Sequence, residues 1–175
     1  LRQAARRKGI NKVTQSSSIP NWNDAAIRLM SQEEKGPFYI ASPATTRLDD
    51  IATKTYRAHS DNIARLGFAV AHIINNELPE ISLDDKTQSL AISIAEDLLA
   101  SAKPLIVSGT GLYSAALIEA AANIAYALKE KVKDAGLVYV VPEVNSMGLE
   151  MLTQNQLDDA FIKLEKGVTD TTIIL

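Results

Sequence analysis

Residues 104–141 spell out a short strand, a glycine-bearing turn, a long alanine-rich helix and a second strand, and few folds accept that order. Leu105-Ile106-Val107 is a compact apolar run behind Pro104, and Ser108-Gly109-Thr110-Gly111 punctuates it. Leu112 to Lys131 then carries only a thin polar stripe at Glu119, Asn123 and Glu130, with alanines small enough to let a helix lie close against a sheet. Gly136 closes that helix, and Leu137-Val138-Tyr139-Val140-Val141 runs to Pro142. Two strands joined through a helix pair in parallel by a right-handed crossover. Parallel strands bury both faces, so the expected architecture is an α/β fold, a parallel sheet with helices on both faces.

The same plan begins once before, at Pro37. Pro37-Phe38-Tyr39-Ile40-Ala41 reads as a short buried strand, and Ser60 or Asp61 opens a helix with Ile63, Leu66, Val70, Ile73 and Ile74 at helical spacing. Asn75, Asn76 and Pro79 end it, and Ser82 to Asp85 starts another with Leu90, Ile94 and Leu98 on one face. This repetition suggests parts of two similar α/β halves, residues 1–102 and 103–175.

At the N-terminal end, Arg2, Arg6, Arg7 and Lys8 with no acid predict a short helix stopped at Gly9, its cations complementing a C-terminal dipole. Asn21-Trp22-Asn23-Asp24 caps a helix through Met30, with Trp22 expected to anchor it in the core. Asn145-Ser146-Met147-Gly148 reads as a turn with Gly148 at positive φ. Thr153 and Gln156 have capping-box spacing for a last helix bearing Leu157, Ala160, Phe161 and Leu164, with Gly167 as its C-cap. Thr171 to Leu175 reads as a fourth strand without a following turn, and Leu1 is not a start methionine, so a piece of a longer protein is expected.

The chemistry open to the chain is narrow. It contains no cysteine and two histidines, His59 and His72, so it cannot hold an iron–sulfur cluster by thiolates and is not expected to hold zinc. A net charge of −3 gives no electrostatic case for nucleic acid. No apolar run approaches the ~20 residues that span a bilayer, so no direct membrane insertion is expected. The lack of a targeting pattern favours the cytoplasm.

The sharpest local motif is Gly109-Thr110-Gly111-Leu112-Tyr113-Ser114, which supplies the first two glycines of a dinucleotide fingerprint and a small residue at the third. The ribose-binding acid could only be Glu143, beyond Pro142 and farther on than the usual ~20 residues, so a geometric turn is the favoured reading. Asn145 and Gly148 lie where open α/β sheets bind ligands, at a strand's carboxyl end. His59 stands in a loop with no second ligand near it in sequence. His72 suits a partly buried helix end. The pairs Asp49-Asp50 and Asp158-Asp159 are sequence neighbours whose side chains diverge on a helix. No Gly-x-Ser-x-Gly elbow occurs. Nothing catalytic stands out.

Residues 37–74, from Pro-Phe-Tyr-Ile-Ala-Ser-Pro-Ala-Thr-Thr-Arg-Leu-Asp-Asp to Tyr-Arg-Ala-His-Ser-Asp-Asn-Ile-Ala-Arg-Leu-Gly, resemble a molybdopterin oxidoreductase domain of the formate dehydrogenase/DMSO reductase-like fold. Residues 104–148, through the Ala-rich helix to Val-Asn-Ser-Met-Gly-Leu, are similar to the large G-subunit family of bacterial NADH:quinone oxidoreductase, respiratory complex I. The resemblance implies a parent with 4Fe-4S and 2Fe-2S clusters in an upstream region and no cofactor here. It also implies a place in the peripheral, cytoplasmic arm, with the other subunits of that arm as partners. Where the molybdopterin family has Asp-Pro and Arg-Pro-Gly-Thr-Asp, this chain has Ser42-Pro43 and Ala58-His59-Ser60 before Asp61, the acid that is kept. These departures imply a structural segment in which Gly109, Thr110, Gly111, Asn145, Gly148 and Asp61 are vestiges of a cofactor site. The alternative is a cofactor-binding α/β domain of a molybdopterin-dependent oxidoreductase, with the same six residues lining a nucleotide. A third reading is the central domain of a thiamine-diphosphate enzyme.

Overall fold

The computed structural model describes residues 1–20, 22–31, 34–152 and 157–171. The fold is α/β, as expected. In chain order it runs α1 (Arg2–Ser16), α2 (Asp24–Ser31), β1 (Tyr39–Ala41), a 3-10 turn (Asp49–Ile51), β2 (Lys54–Tyr56), α3 (Ser60–Ile74), α4 (Asp85–Ala100) and β3 (Leu105–Gly109). α5 (Ala115–Lys129), β4 (Gly136–Val140), α6 (Ser146–Leu152) and α7 (Leu157–Glu165) follow.

The strands are parallel, but they do not form one sheet. Among the described residues there are two separate two-stranded ladders, β1–β2 and β3–β4. Ile40 pairs with Thr55 in the first, and Val107 with Val138 in the second. β2 escapes the sequence reading because Lys54-Thr55-Tyr56 has no apolar run; its pairing with β1 makes it a strand. With three residues in each strand, that ladder is too short to extend far, and both ladders lean instead on a shared helical cluster. Tyr56 from β2 and Ile106 from β3 pack against it.

That cluster is built from Leu66, Ala69, Val70 and Ile74 of α3, Ala91 and Ala95 of α4, and Ala127 and Leu128 of α5. It draws residues from both sides of position 102. Small side chains let the helices approach: a methyl group placed on Gly67 of α3 would stand 3.0 Å from the Cβ of Ala120 on α5. Large residues then fill the remaining space, and burying one such as Leu128, at 0% exposure, is worth roughly 1.5–3 kcal/mol. The helices begin where polar side chains satisfy their free amides. Asp84 accepts from the Thr87 amide at 3.0 Å, and Ser114 from Leu117 at 3.4 Å.

Four local expectations are corrected. α1 continues through Gly9 to Ser16, because Gly9 serves a close approach and not a helix stop. A Cβ there would meet the Glu34 carbonyl oxygen at 2.5 Å and that of Ser31 at 2.9 Å. Arg2, Arg6, Arg7 and Lys8 therefore lie in the helix's first half, and no cation stands in its last turn to complement a C-terminal dipole. Trp22 is 83% exposed and anchors nothing; Ile27, at 4%, is the buried residue of α2. The Ala-rich helix starts at Ala115, not Leu112, since Tyr113 at φ 50° interrupts the chain before the Ser114 cap. Gly148 is helical, and Asn145 takes the positive φ, 64°, so that residues 146–152 form a helix.

Other details agree with the sequence. α3 and α4 start where expected, and Gly167, at φ 67°, closes α7. The Gly167 amide donates to the Leu164 carbonyl at 3.0 Å and that of Val168 to Lys163 at 2.9 Å, the paired bonds of a Schellman cap. Asn21, the Thr153 and Gln156 of the expected capping box, and the expected strand beyond Thr171 lie outside the described residues.

Candidate functional site

In a parallel ladder all carboxyl ends lie on one edge, and the loops leaving them are where α/β proteins place ligands. Two such edges exist here, one on each ladder.

At the β3–β4 edge, Gly109 and Val140 are register partners, and the Thr110 amide donates to the Val140 carbonyl at 3.3 Å. A Cβ on Gly109 would lie 2.3 Å from that same oxygen, so glycine is required there by the neighbouring strand. Tyr113 closes the loop by donating its amide to the Thr110 carbonyl at 2.9 Å, and its ring is 90% exposed. Around Gly111 there is open space: no atom lies within 4 Å of its would-be Cβ. At the end of β4, the Asn145 carbonyl accepts from the Leu149 amide at 2.9 Å, the first bond of α6. Asn145 tolerates its left-handed backbone better than most residues. Its side chain folds back over Gly148, where a Cβ would meet Asn145 Oδ1 at 2.2 Å. The Asn-Ser-Met-Gly block is thereby explained as a helix start.

At the β1–β2 edge, the Ser42 hydroxyl donates to the Ala44 carbonyl at 2.9 Å and closes its own turn. Arg57, leaving β2, pairs through Nη2 with Asp49, whose other oxygen accepts from Thr46 Oγ1 at 2.7 Å. The Arg57 bond, followed by those of Thr46, holds the Asp49 carboxyl down at about 2. Arg57 Nη1 is buried without a hydrogen-bond partner. His59 caps α3, its Nδ1 standing 3.4 Å from both the amide nitrogen and Oδ2 of Asp61. His59 and Asp61 side chains are about three-quarters exposed, at 74% and 76%. His72 Nδ1 lies 2.6 Å from the Leu78 carbonyl oxygen and ties the end of α3 to the following loop.

The structure thus brings Gly109 and Thr110 against Val140, and Asn145 against Gly148, while Asp61 stands apart from them in the first turn of α3, beside His59. The Asp49–Arg57–Thr46 network was missed in the sequence, since its members are separated by a loop whose path only the β1–β2 pairing fixes. Tyr39 was missed too. Its hydroxyl donates to Asp97 Oδ2 on α4 at 2.5 Å, and burial, with that bond second, pushes the phenol up to about 12. That bond clips β1 to α4.

A pterin guanine-dinucleotide would need strand-end donors free to meet its phosphates and pterin ring. Here Ser42 is closed on its own turn, Asn145 fills the space over Gly148, and Arg57 is engaged by Asp49. This donor set does not fit that group. Among the described residues no cluster of three or more His, Cys, Asp or Glu could hold a metal ion. No helix among them is long and apolar enough to cross a membrane.

No family model matches the chain. Curated relatives do. Over its full length the chain is 43% identical to the NADH-quinone oxidoreductase G subunit of Pseudomonas putida, 40% to that of Salmonella typhimurium and 39% to that of Escherichia coli K12. In each case it spans 19% of the relative's own length. With that identity sustained from one end to the other, the chain belongs to the G-subunit family of NADH-quinone oxidoreductase, as a fragment of it.

Proposed function

We propose that this chain is a structural segment of an NADH-quinone oxidoreductase G subunit, serving as a molybdopterin oxidoreductase-like scaffold that carries no electron itself. Electrons pass from NADH toward quinone through iron–sulfur clusters held elsewhere in the parent polypeptide. The two strand–loop–helix units, in residues 1–102 and 103–175, keep the plan of a cofactor-binding fold whose site has been given over to packing. The observation that carries this reading is that Ser42 and Arg57 Nη2 bond within the chain at the β1–β2 edge, while at the β3–β4 edge the Val140 carbonyl packs on Gly109 and the Asn145 side chain on Gly148. The lack of any cysteine to ligate a cluster supports it.

The β3–β4 ladder also has the look of a part made to be covered. One face meets α5, where the Tyr139 hydroxyl donates to the Ile118 carbonyl at 2.7 Å. The other presents Leu105, Val107, Val138 and Val140 at 42–56% exposure. Parallel sheets bury both faces, so this apolar face is assigned to contact with the remainder of the parent and, through it, the peripheral arm on the cytoplasmic side. The second reading, a domain that binds a nucleotide-bearing cofactor, has one observation in its favour, the unpartnered Nη1 of Arg57.

The test is Val107→Asp with Val138→Asp in the full-length polypeptide. Loss of complex assembly and of NADH-to-quinone electron transfer, with the iron content of the polypeptide unchanged, supports the scaffold role. A fully assembled and active complex carrying both aspartates overturns it.

A further inference from the structure

The described residues of 1–36 form an arm that is tied to itself. α1 and α2 bury Ala5, Val13 and Ile27, and none of these belongs to the central cluster of α3, α4 and α5. The arm is closed at its far end: the Gly36 amide donates to the Ala5 carbonyl at 2.6 Å, and Lys12 bridges Glu34. The body takes over at Phe38, whose amide donates to Thr53 Oγ1 at 3.0 Å and whose carbonyl accepts from the Thr53 amide at 2.7 Å. Pro37 alone separates the two sets of bonds, and it has no amide with which to join either. Gly36 before it has no Cβ to restrict rotation, so the link can turn.

Among the described residues, the hydrogen bonds and ion pairs that join the arm to the body end on Arg47 and Asp50. Arg2 Nη1 pairs with Asp50 Oδ2 at 2.7 Å, and Arg2 Nη2 donates to the Arg47 carbonyl. Lys35 Nζ reaches the Asp50 carbonyl oxygen at 3.4 Å. Asp50 thus receives a cation from each end of the arm, while its neighbour Asp49 is held by Arg57 on the body. One carboxylate fixes the turn to the body and the next fixes the arm to the turn. The Arg2 and Asp50 side chains are 46% and 61% exposed, and an attachment made of such charges is weak and screened by salt. We infer that the arm is hinged at Gly36-Pro37 and latched to the body by Arg2 and Lys35 on Asp50. Closed and open forms exchange with the helices intact, and higher ionic strength or loss of the Arg2–Asp50 pair favours the open one. The latch makes no use of the β3–β4 face, so it stands or falls separately from the scaffold role.

The experiment is single-molecule fluorescence energy transfer in the whole chain. No native cysteine competes for label, so Gln15→Cys on α1 and Lys129→Cys on α5, both exposed, carry the two dyes. At low ionic strength a dominant closed population is expected beside a small open one. Adding about 0.5 M sodium chloride should raise the open population about two- to fivefold. Arg2→Gln and Asp50→Asn should each produce that rise at low salt and blunt the response to further salt. Arg2→Lys, which keeps the charge, should stay closer to the parent chain than Arg2→Gln does. Arg7→Gln, the same charge change at an exposed position of the same helix, should leave the populations unchanged. Circular dichroism should show the same helix content throughout. The inference is overturned if salt, Arg2→Gln and Asp50→Asn leave the populations as they were, or if Arg7→Gln opens the arm equally. Opening that comes with loss of helix overturns it too.

Discussion

The carbonyl oxygen of Val140 occupies the place where Gly109 would carry a side chain: a methyl group there would lie 2.3 Å from it. Two residues on, Gly111 has nothing within 4 Å of the same position. The pair of glycines that looks like one nucleotide motif thus splits into a packing glycine and a free one.

Stability measurements on single variants separate the two. Gly109→Ala forces the β3 and β4 backbones apart and is expected to cost about 1–3 kcal/mol in urea unfolding. Gly111→Ala, with open space and an ordinary backbone, should stay within about 0.5 kcal/mol of the parent chain. Equal effects at both positions would contradict the geometry.

Acid sensitivity follows from Asp49. The Arg57 and Thr46 bonds lower its carboxyl from 3.8 to about 2 in the folded chain, so the unfolded chain binds the proton first as pH falls. The stabilisation is complete above pH 3.8 and disappears as the pH drops toward 2. Asp49→Asn is expected to flatten the acid limb of a plot of unfolding midpoint against pH. An unchanged limb would place the acid-sensitive groups elsewhere.

Tyr39 gives the opposite limb. Burial and the Asp97 bond raise its phenol from 10.0 to about 12, so above pH 10 the unfolded chain loses a proton that the folded chain keeps. Stability should therefore decline as pH rises from 10 to about 12. In an absorbance titration of the five tyrosines, Tyr39→Phe is expected to remove the step near pH 12. If that step persists in the variant, another tyrosine is the buried one.

How much of this could be read from the sequence depends on whether a signal is local. The helices α3 and α4 were legible because their apolar spacing and their polar start residues, Ser60 or Asp61 and Ser82 to Asp85, agree with the observed starts, although His59 as the cap of α3 was not foreseen. β3 and β4 were legible as apolar runs between breakers. β2 was not, since Lys54-Thr55-Tyr56 becomes a strand only through β1. Gly9 misled because glycine inside a helix usually marks an end, and the Ser31 and Glu34 carbonyls that call for it lie more than twenty residues away. Asn145 and Gly148 both tolerate a left-handed backbone, so sequence alone could not say which bears it. At the candidate site the glycine turn was visible, while the Asp49–Arg57 pair rests on long-range geometry that no spacing encodes.

The central claim is that the strand-end groups are spent on the protein's own structure. Isothermal titration of the chain with GDP and with a guanine dinucleotide tests it most directly. The account predicts no saturable heat, in the parent chain or in Gly111→Asp. Submicromolar, saturable binding that Gly111→Asp abolishes would contradict it.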